Sequence, residues 1–195
     1  MPLPRPVATD RNRSRSLFLV AAFGLLTGLF LTIPLWTLDR TYPLTPIVPG
    51  MNLPADAHPF LLVAAVLGLI VGLLSRQARN IAVLVCLVSL SALVLLDITR
   101  LQPWVIHYGA ILLLFSFGVR HSLDRTELLD AARIIVGGIY FWSGVQKLNT
   151  RFVFEIFPWF TQSLWTALPE LLAGSVLMLG ILVPFIEAGF ALGFF

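Results

Sequence analysis

The sequence predicts an all-α protein, a polytopic bundle of transmembrane helices with about six spans and a short external interfacial segment. Of its 195 residues 58% are hydrophobic and 12% are charged, and the mean hydropathy is +0.91. An ordinary soluble domain carries about 25% charged residues. This deficit of charge argues against a soluble globular domain, a disordered chain and a nucleic-acid partner. The net charge of +3 is spread between long apolar runs, which predicts membrane orientation rather than phosphate binding.

Six uncharged stretches are the candidate spans, because a spanning helix needs about 20 apolar residues and at least about 17. In chain order they are Leu17–Leu38, His58–Ser75, Ile81–Leu96, Leu101–Val119, Ile134–Gln146 and Leu171 to about Phe190. The fifth is short, and it reaches spanning length only by including Leu128–Arg133 and Lys147–Leu148.

Helices are the predicted form of every span, because the apolar runs have no polar stripe and no alternation of period two. A β-barrel has segments of about 10 alternating residues, which this sequence lacks. Residues 1–16 form a basic, Pro-rich cytoplasmic tail, and 17–195 form one helical membrane domain. The first span is a signal anchor, since no Ala-x-Ala cleavage site follows it.

Arginine is distributed unequally between the two sides of the predicted bundle. One side would hold Arg5, Arg11, Arg13, Arg15, Arg76, Arg79, Arg120, Arg125 and Arg133. The other would hold Arg40, Arg100, Lys147 and Arg151. The positive-inside rule makes the richer side cytoplasmic, so the sequence predicts a multi-pass protein of the cell inner (plasma) membrane with a cytoplasmic amino terminus. The segment 152–165, rich in aromatic residues and broken by Pro158, is then an external interfacial segment.

Two further patterns concern packing and chain ends. The chain stops at Gly193-Phe-Phe without a charged flank, which favours a truncated chain over a helix that ends at the inner surface. Small residues recur at Gly-x-x-x-Gly spacing, which allows close helix packing. The three motifs are Gly24/Gly28, Gly68/Gly72 and Gly189/Gly193. Packing within the chain is the first interpretation, and a homodimer or a partner in a membrane complex is the second.

Lys147 is the leading candidate for a catalytic residue. It is the only lysine of the chain and follows the fifth span, whose end reads Tyr140-Phe-Trp-Ser-Gly-Val-Gln-Lys147. Burial of an ammonium group can produce a neutral amine that acts as a base, which an arginine cannot do. The alternative is a lysine that extends to the membrane interface. Glu187 lies about 24 Å beyond Leu171 in a helix, so direct pairing of Glu187 with Lys147 is not expected.

Other polar and aromatic side chains are predicted to reach the same outer end of the bundle and to form a ligand-binding site around Lys147. They are Asp97, Arg100, Gln102, Trp104, His107, Tyr140, Trp142, Ser143 and Asn149. Asp97 and Arg100 are three residues apart, so they share a helix face and can pair. An aromatic belt with ordinary turn chemistry is the alternative interpretation. No His or Cys spacing predicts a metal site, and one cysteine, Cys86, excludes an internal disulfide.

The stretch from Tyr140 to Asn149, followed by Phe152, resembles DoxX-like proteins and the HTTM domain, the membrane part of vitamin-K-dependent γ-carboxylases. The resembling element is Gly144-Val-Gln-Lys147-Leu, and the turn Asp97-x-x-Arg-Leu-Gln-Pro-Trp104 is similar to one in uncharacterised relatives. The resemblance covers Ile81 to Glu187. It implies that Lys147 deprotonates or contacts a quinone, and that quinone is the candidate cofactor.

This chain departs from the carboxylases in three ways. It is much shorter, it lacks their large lumenal domain, and Gln146-Lys147 stands where they have two lysines. Glutamate carboxylation is therefore not expected. The sequence favours a quinone- or lipid-handling oxidoreductase subunit that contacts membrane lipid. The alternative is a non-catalytic structural or accessory subunit, and a transporter comes third because no internal repeat is evident. Whether the protein is an enzyme is left open. No motif of hydrolases or NTPases is present.

Overall fold

A computed structural model describes residues 7–38, 42–51, 53–117, 125–167 and 170–193. These residues are helices and connecting turns, and no strand occurs among them, which confirms the prediction of an all-α protein. The chain divides into two compact units, Met1–Ala132 and Arg133–Phe195.

The first unit contains five helices within its described residues. They are α1 (Val7–Leu31), the short α2 (Ile33–Trp36), α3 (Ala57–Leu74), α4 (Arg79–Leu95) and α5 (Pro103–Phe117), with a 3₁₀ turn at Ile98–Arg100 before α5. The helix α1 includes residues 7–16, so this part of the predicted basic tail is helical.

Helix ends in the first unit follow from residues that disturb the backbone ladder. Pro34 has no N–H and its ring clashes with the carbonyl four residues earlier, so α1 ends at Leu31 and a separate turn follows. The hydroxyl of Thr32 donates to the carbonyl of Gly28 at 2.7 Å and satisfies an acceptor at that end. At α5, Pro103 is the first helical residue, where its missing N–H has no cost.

Glycines set the helix contacts of the first unit. A Cβ added to Gly28 would lie 2.6 Å from the ring of Trp104, and one added to Gly24 would lie 2.5 Å from the ring of Tyr108, so α1 packs on aromatic rings of α5. A Cβ on Gly68 would lie 2.6 Å from the carbonyl oxygen of Ala82 on α4. Two of the Gly-x-x-x-Gly motifs therefore pack within the chain, as predicted.

The second unit contains a helical hairpin. The helix α6 (Arg125–Gln146) begins in the first unit and continues into the second. It is followed by a π-helical turn at Phe152–Ile156, α7 (Phe157–Phe160), α8 (Gln162–Trp165) and α9 (Glu170–Leu192). Three helical segments of the described chain are long and apolar enough to cross a membrane, namely Asn12–Leu31, Ala57–Leu74 and Thr126–Gln146. Three apolar helices are shorter, namely Arg79–Leu95, Pro103–Phe117 and Met178–Leu192.

Contacts along α9 show that the hairpin is antiparallel. The ring of Tyr140 meets Phe190 with a centroid distance of 5.9 Å. A Cβ on Gly144 would lie 2.6 Å from the carbonyl oxygen of Pro184, and one on Gly180 would lie 2.7 Å from the ring of Phe157. As the chain advances from Tyr140 to Phe157, the contacted residue of α9 shifts from Phe190 back to Gly180, so the two arms are antiparallel. Phe157, in the aromatic segment, therefore also packs against α9.

Candidate functional site

An ion pair joins the two arms of the hairpin. Lys147 is the residue that follows α6, and Glu187 lies in α9. The Nζ atom of Lys147 donates to Oε1 of Glu187 at 2.5 Å and to Oε2 at 2.6 Å. The hydroxyl of Ser143, one turn earlier on α6, donates to Oε2 at 3.0 Å. The carboxylate therefore accepts hydrogen bonds from two predicted site residues, Lys147 and Ser143.

The expectation that Lys147 and Glu187 do not pair was wrong. It assumed that α9 begins level with the end of α6. In the structure, Phe157 meets Gly180, and the end of α6 meets Pro184 and Ala188. The end of α6 thus lies beside the second half of α9 rather than beside its start, which brings Glu187 to Lys147. Only the tertiary contacts contain this information, because each residue lies in a long run whose register the sequence leaves open.

Asn149 holds the break between α6 and the following helical turns. Its Nδ2 donates to the carbonyl of Gln146 at 2.6 Å, at the end of α6. Its Oδ1 accepts from the backbone N–H of Phe152 at 2.7 Å, in the pattern of an N-cap. One side chain thus satisfies backbone groups on both sides of the break. This predicted site residue positions Lys147 and has no described contact with Glu187.

The ion pair is half-buried. The Lys147 and Glu187 side chains are 29% and 26% exposed. The ammonium also lies 5.8 Å from the centroid of the Phe152 ring, within the range of a cation–π interaction. Tyr140 and Trp142, two further predicted site residues on the same stretch of α6, are 41% and 62% exposed. A ligand from solvent or lipid could therefore reach both the charges and flat aromatic surfaces.

The chemistry available to this cluster is donation, acceptance and charge stabilisation. Lysine has three N–H donors, and the described contacts with Glu187 use two directions. The remaining donor can bind a carbonyl or phenolate oxygen of a ligand. The carboxylate of Glu187 can accept a hydrogen bond or a proton. A Lys–Glu pair has no net charge, so it tolerates an apolar environment far better than either ion alone.

The first unit contains a second polar cluster, around Asp97 and Arg100. Both side chains are completely buried, and Nε of Arg100 lies 3.7 Å from Oδ2 of Asp97. The hydroxyls of Thr45 and Thr99 donate to Asp97 at 2.9 and 2.8 Å. The pairing predicted from the spacing of Asp97 and Arg100 is therefore present, although it is buried in the protein and offers no surface to a ligand.

Arg100 also contacts three other parts of the first unit. Its Nε donates to the carbonyl of Leu35 at 3.0 Å, and Nη1 donates to the carbonyl of Leu93 at 3.2 Å. Nη1 also lies 3.1 Å from Nδ1 of His58, which is itself 1% exposed. This contact of His58 was not predicted from the sequence. Its place as the first polar residue of an apolar helix was the only available indication, and many such residues simply face water.

The remaining predicted site residues have packing roles in the first unit. Nε2 of Gln102 donates to the carbonyl of Thr99 at 2.7 Å, which closes the turn before α5. The ring of Trp104 packs on Gly28 and lies edge-on to the buried Trp36. His107 is stacked on its neighbour Tyr108 with a centroid distance of 5.4 Å.

The predicted site thus falls into two sets, one in each unit. Lys147, Ser143, Asn149, Tyr140 and Trp142 belong to the second unit, while the rest belong to the first, and convergence of the two sets stays a prediction. Among the described residues no group of three His, Cys, Asp or Glu side chains could hold a metal ion. No family model, curated protein or solved structure matches this chain.

Proposed function

We propose that this chain is a multi-pass protein of the inner membrane that binds a quinone, or a lipid with a similar polar ring, at the Lys147–Glu187 pair, as a subunit of an oxidoreductase. The proposal includes six crossings and a cytoplasmic amino terminus. Its support is the composition, the arginine distribution and the three apolar helices of spanning length. The observation that carries it is the Lys147–Glu187–Ser143 cluster within an apolar hairpin.

The position of the pair along its helices favours a site inside the membrane. Lys147 lies 14 residues after Arg133, which is about 21 Å along α6. Glu187 lies 17 residues after Glu170, which is about 26 Å along α9. The pair is therefore distant from Arg133 and from Glu170, and the nearest charged residues in the chain are Arg151 and Glu155, which follow Lys147. Ionisable groups at such depth are costly, and those that persist commonly have a function.

A route from the outer side to the pair is supported by the next charged residues. Arg151 and Glu155 form an ion pair with a distance of 3.3 Å, and their side chains are 78% and 69% exposed. Charged groups in membrane proteins face water or protein rather than lipid. Since Arg151 follows Lys147 by one turn of chain, this face would lead from the pair toward the external surface, which keeps the site outward-facing.

A quinone fits the donors and rings of the cluster. The free donor of Lys147 would bind a quinone carbonyl oxygen, and Phe152, Tyr140 and Trp142 supply flat aromatic surface for the ring. In the reduced ligand, a hydroxyl would donate its hydrogen to the carboxylate of Glu187. The ammonium would then stabilise the phenolate oxygen that remains. Lys147 acts here as the oxygen contact, and Glu187 acts as the proton acceptor.

Oxidation of the bound hydroquinone would release two protons and two electrons. The protons would pass to Glu187 in turn and then to water along the Arg151–Glu155 face. The electrons would go to an acceptor in a partner subunit, because the sequence contains no motif that binds haem, flavin or an iron–sulfur cluster. The resemblance of the Gly144–Leu148 element to DoxX-like and HTTM proteins agrees with quinone chemistry at this lysine.

A structural subunit is the second candidate function. Ser143, Gly144 and Lys147 all contact α9, so the same residues that would bind a ligand also hold the hairpin together. In this case the pair would stabilise the fold of an accessory subunit. Its contribution to folding would then account for any effect of its removal.

Quinone binding by the purified full chain in lipid nanodiscs separates the two functions. A short-chain naphthoquinone is titrated while tryptophan fluorescence is recorded, and the melting temperature is measured on the same sample. We expect saturable quenching by the wild-type protein and an affinity about tenfold weaker in Lys147→Ala, the effect of one lost charge-assisted hydrogen bond. Ser143→Ala should weaken binding less, because its hydroxyl contacts only the carboxylate.

Two further variants assign the roles of the pair. Glu187→Gln should prevent the red shift in absorbance that accompanies deprotonation of bound hydroquinone, because an amide cannot accept the proton. Lys147→Arg keeps the charge and should bind with intermediate affinity. Arg13→Gln, in the first unit, is the control for loss of a cation. Unchanged affinity in Lys147→Ala would contradict the proposal, and losses of affinity that only follow the melting temperature would favour the structural subunit.

A further inference from the structure

Three helices of the first unit meet at the side chain of Arg79. This residue begins α4, and its Nε donates to the carbonyl of Gly72 on α3 at 3.2 Å. Its guanidinium lies 4.3 Å from the centroid of the Phe18 ring on α1. Gly72 is buried, and Phe18 is 2% exposed. Arg79 is therefore a fixed cation at the junction of α1, α3 and α4.

Two more arginines approach this junction. Arg15 precedes Phe18 by three residues on α1, so the two side chains share a helix face. Arg76 lies in the short turn between α3 and α4. Both are close enough to Arg79 to act on it electrostatically, and both are exposed. Neither forms an ion pair within the part of the chain that the structure describes.

An anion would relieve the repulsion within this cluster of like charges. Three guanidinium groups repel one another, and the repulsion increases where apolar helices reduce the local dielectric. Guanidinium groups match phosphate oxygens in a bidentate geometry. A phosphate between Arg15, Arg76 and Arg79 would remove the repulsion and accept hydrogen bonds from more than one helix.

Exposed apolar side chains at the same helix ends indicate the rest of the ligand. Leu74 is the last residue of α3 and is 82% exposed, and Ile81 lies in the first turn of α4 and is 72% exposed. An anion with acyl chains would cover these side chains while its phosphate binds the arginines. Arg79 begins α4, Arg76 lies between α3 and α4, and Arg15 is the fourth residue of the apolar segment Asn12–Leu31. These positions are at the level of lipid headgroups for a spanning helix.

We propose that Arg15, Arg76 and Arg79 bind the phosphate of an anionic phospholipid, with its acyl chains against the apolar surface near Leu74 and Ile81. The site lies at the end of the first unit where α1 begins, which is the cytoplasmic side in the topology above. It is independent of the Lys147–Glu187 pair and would be present whether or not that pair binds a quinone.

Native mass spectrometry of the full chain in detergent tests this proposal with phosphatidylglycerol and phosphatidylcholine as probes. We expect wild-type protein to retain phosphatidylglycerol in preference to phosphatidylcholine. Arg15→Gln with Arg76→Gln should weaken phosphatidylglycerol binding about 100-fold, since two charge-assisted hydrogen bonds are lost. Arg79 is left intact because it also packs against Phe18 and Gly72.

Arg13→Gln is the matched control, because Arg13 lies on the same exposed end of α1 but two residues from Arg15, on another helix face. It should change affinity by about fivefold at most, the size of a bulk electrostatic effect. Arg15→Lys with Arg76→Lys retains the charge and should give an intermediate affinity.

Two results would overturn the proposal. One is an equal effect of Arg13→Gln and the double cluster variant, which would show that only net charge matters. The other is displacement of phosphatidylglycerol by millimolar inorganic phosphate, which would make the site one for a free anion. If the double glutamine variant has a lower melting temperature than the wild-type protein, the double lysine variant is used instead. Its preference for phosphatidylglycerol over phosphatidylcholine then decides the outcome.

Discussion

The Asp97–Arg100 and Lys147–Glu187 ion pairs differ in how the chain surrounds them. Asp97 and Arg100 are completely buried, whereas Lys147 and Glu187 retain over a quarter of their side-chain exposure. The partners of Arg100 are backbone carbonyls and His58. Contacts within the chain thus surround the first pair, whereas the second leaves a donor and a carboxylate edge accessible.

This difference shows that residues singled out by the sequence can form a pair that a ligand could reach or one that is closed off inside the protein. Each pair contains residues that the sequence singled out, namely Asp97 and Arg100 in the first and Lys147 in the second. In the first unit the network links the carbonyls of Leu35 and Leu93 and the side chain of Thr45, so it fastens the connection after α2 to the end of α4. In the second unit the pair links only two helices. We therefore assign architecture to the first and ligand chemistry to the second.

The largest expected effect is at the buried pair. Arg100→Ala should destabilise the first unit by about 3–5 kcal/mol, because Asp97 would remain buried without its cation. Lys147→Ala should cost about 1 kcal/mol or less, since its partner can be solvated. Thermal unfolding in detergent measures both. Equal losses would contradict the contrast between the two pairs.

A smaller effect tests the helix contact that supports the Lys147–Glu187 pair. Gly144→Ala should destabilise the hairpin by about 1–3 kcal/mol, because its Cβ would meet backbone atoms of Pro184 and Ala188. It should also weaken quinone binding by separating Lys147 from Glu187. Gly138→Ala on the same helix is the matched control, since no described atom lies within 4 Å of its Cβ position. That control should be neutral or stabilising by up to about 1 kcal/mol.

The smallest effect concerns the break after α6. Asn149→Ala should cost about 1 kcal/mol, because Phe152 loses its N-cap and Gln146 loses a donor. The exposed Arg151–Glu155 pair nearby provides a comparison for this loss of stability. Arg151→Ala should change the free energy of unfolding by less than about 0.5 kcal/mol. Chemical denaturation of both variants resolves the difference. A loss in Arg151→Ala as large as that in Asn149→Ala would show that the exposed pair also contributes to the fold.

Much of the fold could be predicted from local sequence. Apolar runs without alternation predicted helices, and the spacing of Asp97 and Arg100 predicted their pairing. These features depend on residues that are near one another in the chain. Lys147 was singled out from the sequence because it is a solitary lysine at the end of an apolar run, and its functional role stays a prediction.

The partners of these residues could not be predicted. Glu187 was excluded as a partner of Lys147 because the register of two apolar helices has no local determinant, and His58 gave no indication of its contact with Arg100. The sequence alone determined that this chain forms apolar helices with a few costly polar groups, since hydrophobicity and backbone hydrogen bonding act locally. Only the tertiary structure decided which of these groups meet and which stay accessible, because glycine contacts such as that of Gly144 with Pro184 fix the register over long distances in the chain.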